Sequence, residues 1–325
     1  MPIKPSVKLV LIGLCLGLPA SLWLAMSWGS SGWLWPHRLS PEDQQVIWAL
    51  RLPRAVAAWV VGALLALAGV LMQVLLRNPL ADPYILGLSG GASVFALLGF
   101  TLAGTLGLTW LPIPLWAFAG ALITMVLVFV LAQGRGAWST TRILLTGVVI
   151  AAGWGALISL ILALGPDASL RSMLFWMMGD LSYAQLSPAW LGGVFLLMAL
   201  VWLRARNLNV MAQGQLQAQL LGESIQARFW EVYVLASLLT GIAVSIAGAI
   251  GFVGLIVPHL MRLIVGADHR LLVPAATLFG GSFLVIADTI ARTVLAPHQL
   301  PVGVLTALIG VPLFLLLLNQ AIRIR

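Results

Sequence analysis

The chain has 325 residues, 61% of them hydrophobic and only 8% charged, with a mean hydropathy of +1.07. Soluble proteins carry about a quarter charged residues, so this composition places the chain in a membrane and excludes a sizeable soluble domain. The net charge of +8 comes from basic residues set singly or in pairs between apolar runs, without the polybasic block that nucleic-acid binding would use. Cys15, the single cysteine, rules out an intrachain disulfide and a cysteine-rich metal site.

A transmembrane helix needs about 20 apolar residues to cross about 30 Å of hydrocarbon. On that measure the chain reads as one polytopic all-α membrane domain over 1–325, with about ten transmembrane helices near 9–28, 53–76, 85–104, 114–132, 143–164, 190–203, 230–249, 251–265, 273–289 and 301–319. The first begins after Lys4 and Lys8 as a secretory signal would, but its apolar core from Leu9 to about Ser27 is longer than a signal's, so it reads as an uncleaved span. The second opens on Arg51 and Arg54, one helical turn apart and therefore on one face. Residues 204–228 form the longest polar stretch. Their apolar members Leu208, Met211, Leu216 and Leu220 recur at helical spacing, which predicts a partner surface. The eighth span is short and rich in glycine and proline.

Placing both termini inside puts twelve of the seventeen basic residues on the cytoplasmic side, as the positive-inside rule requires. Arg38, Arg51, Arg54, Arg171 and Arg292 fall outside. Laying residues 62–87 on 241–266 gives eight identities in 26, including Gly62 with Gly241, Gly69 with Gly248 and Pro79 with Pro258. In this topology the copies run in opposite directions, an inverted internal repeat whose halves span about 51–165 and 229–325; such repeats are common in transporters.

Several chemistries are disfavoured. The only lysines are Lys4 and Lys8, so a G-x-x-x-x-G-K-S/T phosphate loop is absent and this chain cannot itself hydrolyse ATP by that mechanism. All nine carboxylates fall in loops or near span ends, whereas ion-coupled carriers keep a costly ionisable group near mid-membrane. "GLSGGAS" at 87–93 contains the G-x-S-G found around the serine of rhomboid-type proteases, with His259 a conceivable base. Small residues after a proline-rich turn equally serve helix packing. His37, His269 and His298 lack ligand spacing, so neither a metal nor a cofactor is expected.

The run "RLPRAVAAWVVGALLALAGVLMQVLLRNPLADPYILGLSGGAS" resembles the first half of FecCD-type permeases, the membrane subunits of ABC importers for ferric siderophores, haem and vitamin B12. "GAIGFVGLIVPHLMRLIVGADHRLLVPAATLFGGSFLVIADTIARTV" and "LPVGVLTALIGVPLFLLLL" resemble the second half, and "LRSMLFWMMGDLS" the segment after the fifth span, its "WMMG" being similar to that of the vitamin B12 branch. The match covers most of 51–318.

The resemblance implies a type II ABC importer permease fold, an inner-membrane homodimer with the pathway at its axis, two cytoplasmic ATPase subunits and a periplasmic binding protein. It implies an ATPase-coupling role for Gln213, Gly214, Gln215, Ala218, Leu221, Gly222 and Glu223, although glutamines replace the family's usual leucine and glutamate at two of these positions. Asn78, Leu80, Thr140 and Thr141 become cytoplasmic gate candidates, and Arg51, Arg54 and Arg292 become docking contacts for acidic residues of the binding protein. The fifth and tenth spans and the "WMMG" segment would line the pathway. Another cofactor or an oxyanion is the alternative cargo.

Overall fold

A computed structural model describes residues 5–34, 39–106, 111–133, 139–182 and 184–323. Lys4, Arg38, Arg135 and Arg325, which entered the charge bias, lie outside these residues.

Helix α1 (Pro5–Ser27) leads into a two-stranded hairpin, β1 (Trp28–Gly29) against β2 (Gly32–Trp33). A short α2 (Pro41–Gln45) follows, started by a Ser40–Asp43 capping box. A π-helical turn, Val46–Arg51, runs directly into α3 (Leu52–Leu75). A 3-10 turn, Pro83–Leu86, precedes α4 (Leu88–Leu106), α5 (Ile113–Ala132) and α6 (Thr140–Leu164). The middle of the chain holds α7 (Asp167–Met177), α8 (Ala189–Leu203), α9 (Ala205–Ala212) and α10 (Gln215–Leu220). Four more helices complete it: α11 (Ile225–Ala247), α12 (Val253–Val265), α13 (His269–Thr293) and α14 (Val302–Arg323).

Each of the ten predicted spans coincides with a helix: α1, α3, α4, α5, α6, α8, α11, α12, α13 and α14. Among the described residues seven helices are long and apolar enough to cross a membrane alone, and α8 with α9 makes an eighth bent by 54°. The expected eighth span needs correcting. Helix α12 has 13 residues, about 20 Å at 1.5 Å per residue, too short to cross. It starts beside Leu65 and Gly69 of α3 and not at the surface.

Helix α3 is the core. Every residue from Arg54 to Leu75 is buried, because α13, α11 and α12 all pack on it. Its run of Ala and Gly permits this, since attraction between helices in lipid comes from close packing and not from hydrophobic expulsion. At Gly69 a Cβ would collide with the carbonyl of Gly254, and at Gly62 with that of Gly280. Substituting Gly69 with Val is therefore expected to lose at least about 1–3 kcal/mol through overpacking, seen as a lower thermal midpoint in detergent, whereas the same change at the open Gly153 should be silent.

At two of the aligned positions the stretches differ locally. Gly69 is helical within α3, but Gly248 ends α11 at φ +68°. Pro79 lies in a loop, while Pro258 is inside α12.

Candidate functional site: a buried arginine cluster and a coupling segment

At the end of the bundle that the charge bias assigns to the outside, the N-terminus of α3 meets the C-termini of α1 and α13. Arg54 Nε donates to Asp288 Oδ2 at 3.0 Å and Nη2 to Oδ1 at 2.8 Å, while Nη1 donates to Gln299 Oε1 at 2.7 Å and reaches Ser182 Oγ at 3.4 Å. Arg51 Nη1 donates to the carbonyls of Met26 and Ser27, both at 2.9 Å, and Nη2 to Ser31 Oγ and the Gly32 carbonyl. Arg292 Nη2 donates to the Ala25 carbonyl at 2.5 Å, and its Nε lies 3.9 Å from Asp288 Oδ2.

Two arginines thus occupy the last carbonyls of α1, which have no partner within the helix and carry the negative end of its dipole. The third takes a bidentate carboxylate, the strongest geometry open to a guanidinium. The π-turn Val46–Arg51 is the kind of local irregularity that re-aims side chains: Arg51 points to the α1 hairpin and Arg54 to α13, although the two stand three residues apart.

The three arginines lie together at this end of the bundle, and their side chains turn inward. Arg51, Arg54 and Arg292 are 4%, 9% and 4% exposed, so their head groups are engaged within the chain. Asp288, expected near a span end with the other carboxylates, is 1% exposed and serves as the cluster's counter-ion. Asp180 lies near Arg54 and Asp43 near Arg51, which leaves the group close to electroneutral. Asp288, Ser182 and Gln299 carry no sequence motif, and only the fold brings them to the arginines.

At the opposite end, the polar stretch forms two helices hinged at Gly214, whose φ of +118° suits glycine. The single apolar stripe predicted along it is split: Leu208 and Met211 of α9 are buried, whereas Leu216 and Leu220 of α10 and Leu221 after it are 71%, 79% and 64% exposed. Among the coupling candidates Ala218 is buried, Gln213, Leu221 and Gly222 are exposed, and the side chain of Gln215 lies outside the described residues. Glu223 faces inward, accepting from Asn207 Nδ2 at 2.5 Å and Arg228 Nε at 3.0 Å. Arg228 also donates to Glu231 at 2.6 Å, and Glu231 in turn pairs with Arg204. This chain of pairs fastens the segment to the start of α11. Asn209 ties α9 to the α12–α13 loop through Asp268 Oδ1 at 2.8 Å. Burial raises the Asp268 carboxyl, but the Asn209 amide, the Arg270 N–H and the Arg270 charge outweigh it and hold the group below its usual range.

The gate candidates sit at this same end. Asn78 Oδ1 accepts from Leu80 N at 3.0 Å, forming a local turn. Thr140 opens α6 and Thr141 is exposed. The 3-10 turn packs on α6, where a Cβ on Gly147 would strike the Ile85 carbonyl, and Tyr84 Oη accepts from Ile250 N. Burial pushes the Asp82 carboxyl up to about 6 against the Tyr84 N–H that it accepts. Since the folded state holds this proton more tightly than the ordinary carboxyl range near 3.8, its contribution is greatest at acid pH and is lost as pH rises toward about 6. Between pH 7 and pH 5 the thermal midpoint of Asp82→Asn should therefore rise less than that of the parent. Among the described residues no hydrogen bond joins Ser89 to His259, whose Nδ1 has no partner.

Ten apolar helical elements with a polar hinge at one end define a polytopic membrane protein. The model of the FecCD transport family matches residues 8–320, and the chain belongs to that family, functioning as a permease of an ABC importer. It is 43% identical over 290 residues to YvrB, an uncharacterised ABC transporter permease of Bacillus subtilis strain 168, covering 87% of this chain and 81% of that one. It is 39% identical over 319 residues, 95% of each chain, to BtuC, the vitamin B12 import permease of Escherichia coli O6:H1. A solved inward-facing ABC transporter described as of metal-chelate type shares 31% identity at a TM-score of 0.86, over 96% of this chain and 99% of its own.

Proposed function

We propose that two copies of this chain enclose the translocation pathway of an inner-membrane importer for vitamin B12 or a chemically similar metal chelate. Two ATPase subunits engage Leu216, Leu220 and Leu221 on the cytoplasmic side, and a periplasmic binding protein delivers cargo to the opposite face. The halves α3–α6 and α11–α14 act as an inverted repeat that rocks as ATP binds. The arginine cluster serves the docking face indirectly, by holding α1, α3, α13 and the 180–182 loop in register.

The observation that carries this reading is the uncovered face of α6 and α14. In α6 only Ile143 and Gly147 are buried, while Val149 and Leu164 are 71% and 78% exposed, as are Leu308 at 66% and Leu316 at 62% in α14. Over residues 143–164 and 302–316 these helices carry apolar side chains and no charged residue, which suits a large chelate that must pass without being held. BtuC's near full-length similarity favours a corrinoid; a ferric siderophore or haem is the second reading.

The test is uptake into proteoliposomes containing the permease with its ATPase and binding protein. ATP-dependent, vanadate-sensitive accumulation of cyanocobalamin is expected. Uptake that needs no ATPase and collapses with the proton gradient would refute the importer, and uptake of ferric siderophore alone would move the cargo to the second reading.

A further inference from the structure

A groove of about 600 Å³ opens between α8 and α11 at the end that carries the coupling segment. Its walls are Leu200 and Leu203 on one side and Val234 and Leu235 on the other, with Trp230 among them. It closes on the Arg204–Glu231 pair. Just there the helix axis bends by 54° from α8 into α9, as a chain does when it leaves the bilayer and runs along its surface. Trp202, 47% exposed, donates from Nε1 to the Arg270 carbonyl at 2.9 Å, and tryptophan favours this depth of the interface.

The rim is basic. Arg204, Arg206 and Arg270 are exposed, and Arg206 and Arg270 make no ion pair among the described residues. The carboxylates at this level are engaged by the chain itself: Glu231 by Arg204 and Arg228, Glu223 by Asn207 and Arg228, and Asp268 by Asn209. An apolar trough ending in cationic side chains at the cytoplasmic surface is complementary to a lipid with an anionic head.

We propose that this groove binds an anionic phospholipid of the inner leaflet, one acyl chain lying between α8 and α11 and the phosphate on Arg204 and Arg206. The proposal rests on the orientation given by the charge bias. The site adjoins the pairs that fasten the coupling segment, so the phosphate shares Arg204 with Glu231.

The test uses the full chain in micelles doped with phosphatidylglycerol or phosphatidylcholine brominated in the acyl chains. The fluorescence of Trp230 is taken as the difference between the parent and Trp230→Phe. Brominated phosphatidylglycerol is expected to quench that component at several-fold lower mole fraction than the phosphatidylcholine. Arg206→Gln, which touches no ion pair, should weaken the preference, and Arg204→Gln with Arg206→Gln should abolish it. Equal quenching by both lipids, or a preference that survives the double variant, would overturn the site. Loss of the preference in millimolar inorganic phosphate would assign the arginines to free phosphate instead. Since the readout involves no transport, its failure is separable from failure of the importer reading.

Discussion

Replacing Asp288 with alanine is expected to destabilise the fold by about 3–5 kcal/mol, the usual cost of leaving a buried ion without its partner. Arg54 would lose both strands of its bidentate pair, and Arg292 its only nearby carboxylate among the described contacts. The consequence should travel along the chain. Arg292 also holds the Ala25 carbonyl, so the end of α1 should open together with that of α13, and protease access near the Trp28–Trp33 hairpin should rise with the fall in thermal midpoint. An arginine cluster that served only to meet a binding protein would leave both unchanged. Charge reversal of Arg51 and Arg54 to Glu should for the same reason weaken assembly as well as docking.

The second large effect belongs to the coupling segment. Changing Leu216 and Leu220 together to Glu should leave the permease folded, because both side chains are more than two-thirds exposed. It should remove two apolar side chains from the proposed ATPase interface. Each is worth roughly 1.5–3 kcal/mol when fully buried, so association should weaken about 100-fold or more, measured by binding of the purified ATPase to immobilised permease. Uptake should fall in parallel. The matching change of Leu208, 1% exposed beneath α9, should instead lower stability, since that residue belongs to the core.

The difference between Leu208 and the pair Leu216 and Leu220 shows where sequence reasoning reached its limit. A helical period of apolar residues does not say whether its stripe is buried or exposed, and Gly214 divides this one into a buried and an exposed half. The long spans were legible because crossing a bilayer imposes both length and composition. Helix α12 was not, since a short apolar run that starts at mid-depth looks like a full span until the Gly69–Gly254 approach is seen. The unusual placement of Arg51, Arg54 and Arg292 was visible as a breach of the positive-inside rule. Their inward orientation was hidden, because Asp288 is 234 residues from Arg54 in the chain and the α1 carbonyls carry no side-chain signature at all.

The most direct test of the account is a double-mutant cycle on that pair, comparing Arg54→Met, Asp288→Leu and the two combined by thermal unfolding in detergent. Each single change should cost several kcal/mol, and the combination should recover much of the loss, because apolar side chains of similar size can replace a buried ion pair at little or no cost. Additive losses, or single variants as stable as the parent, would contradict an internal role for the cluster and return the arginines to the docking surface.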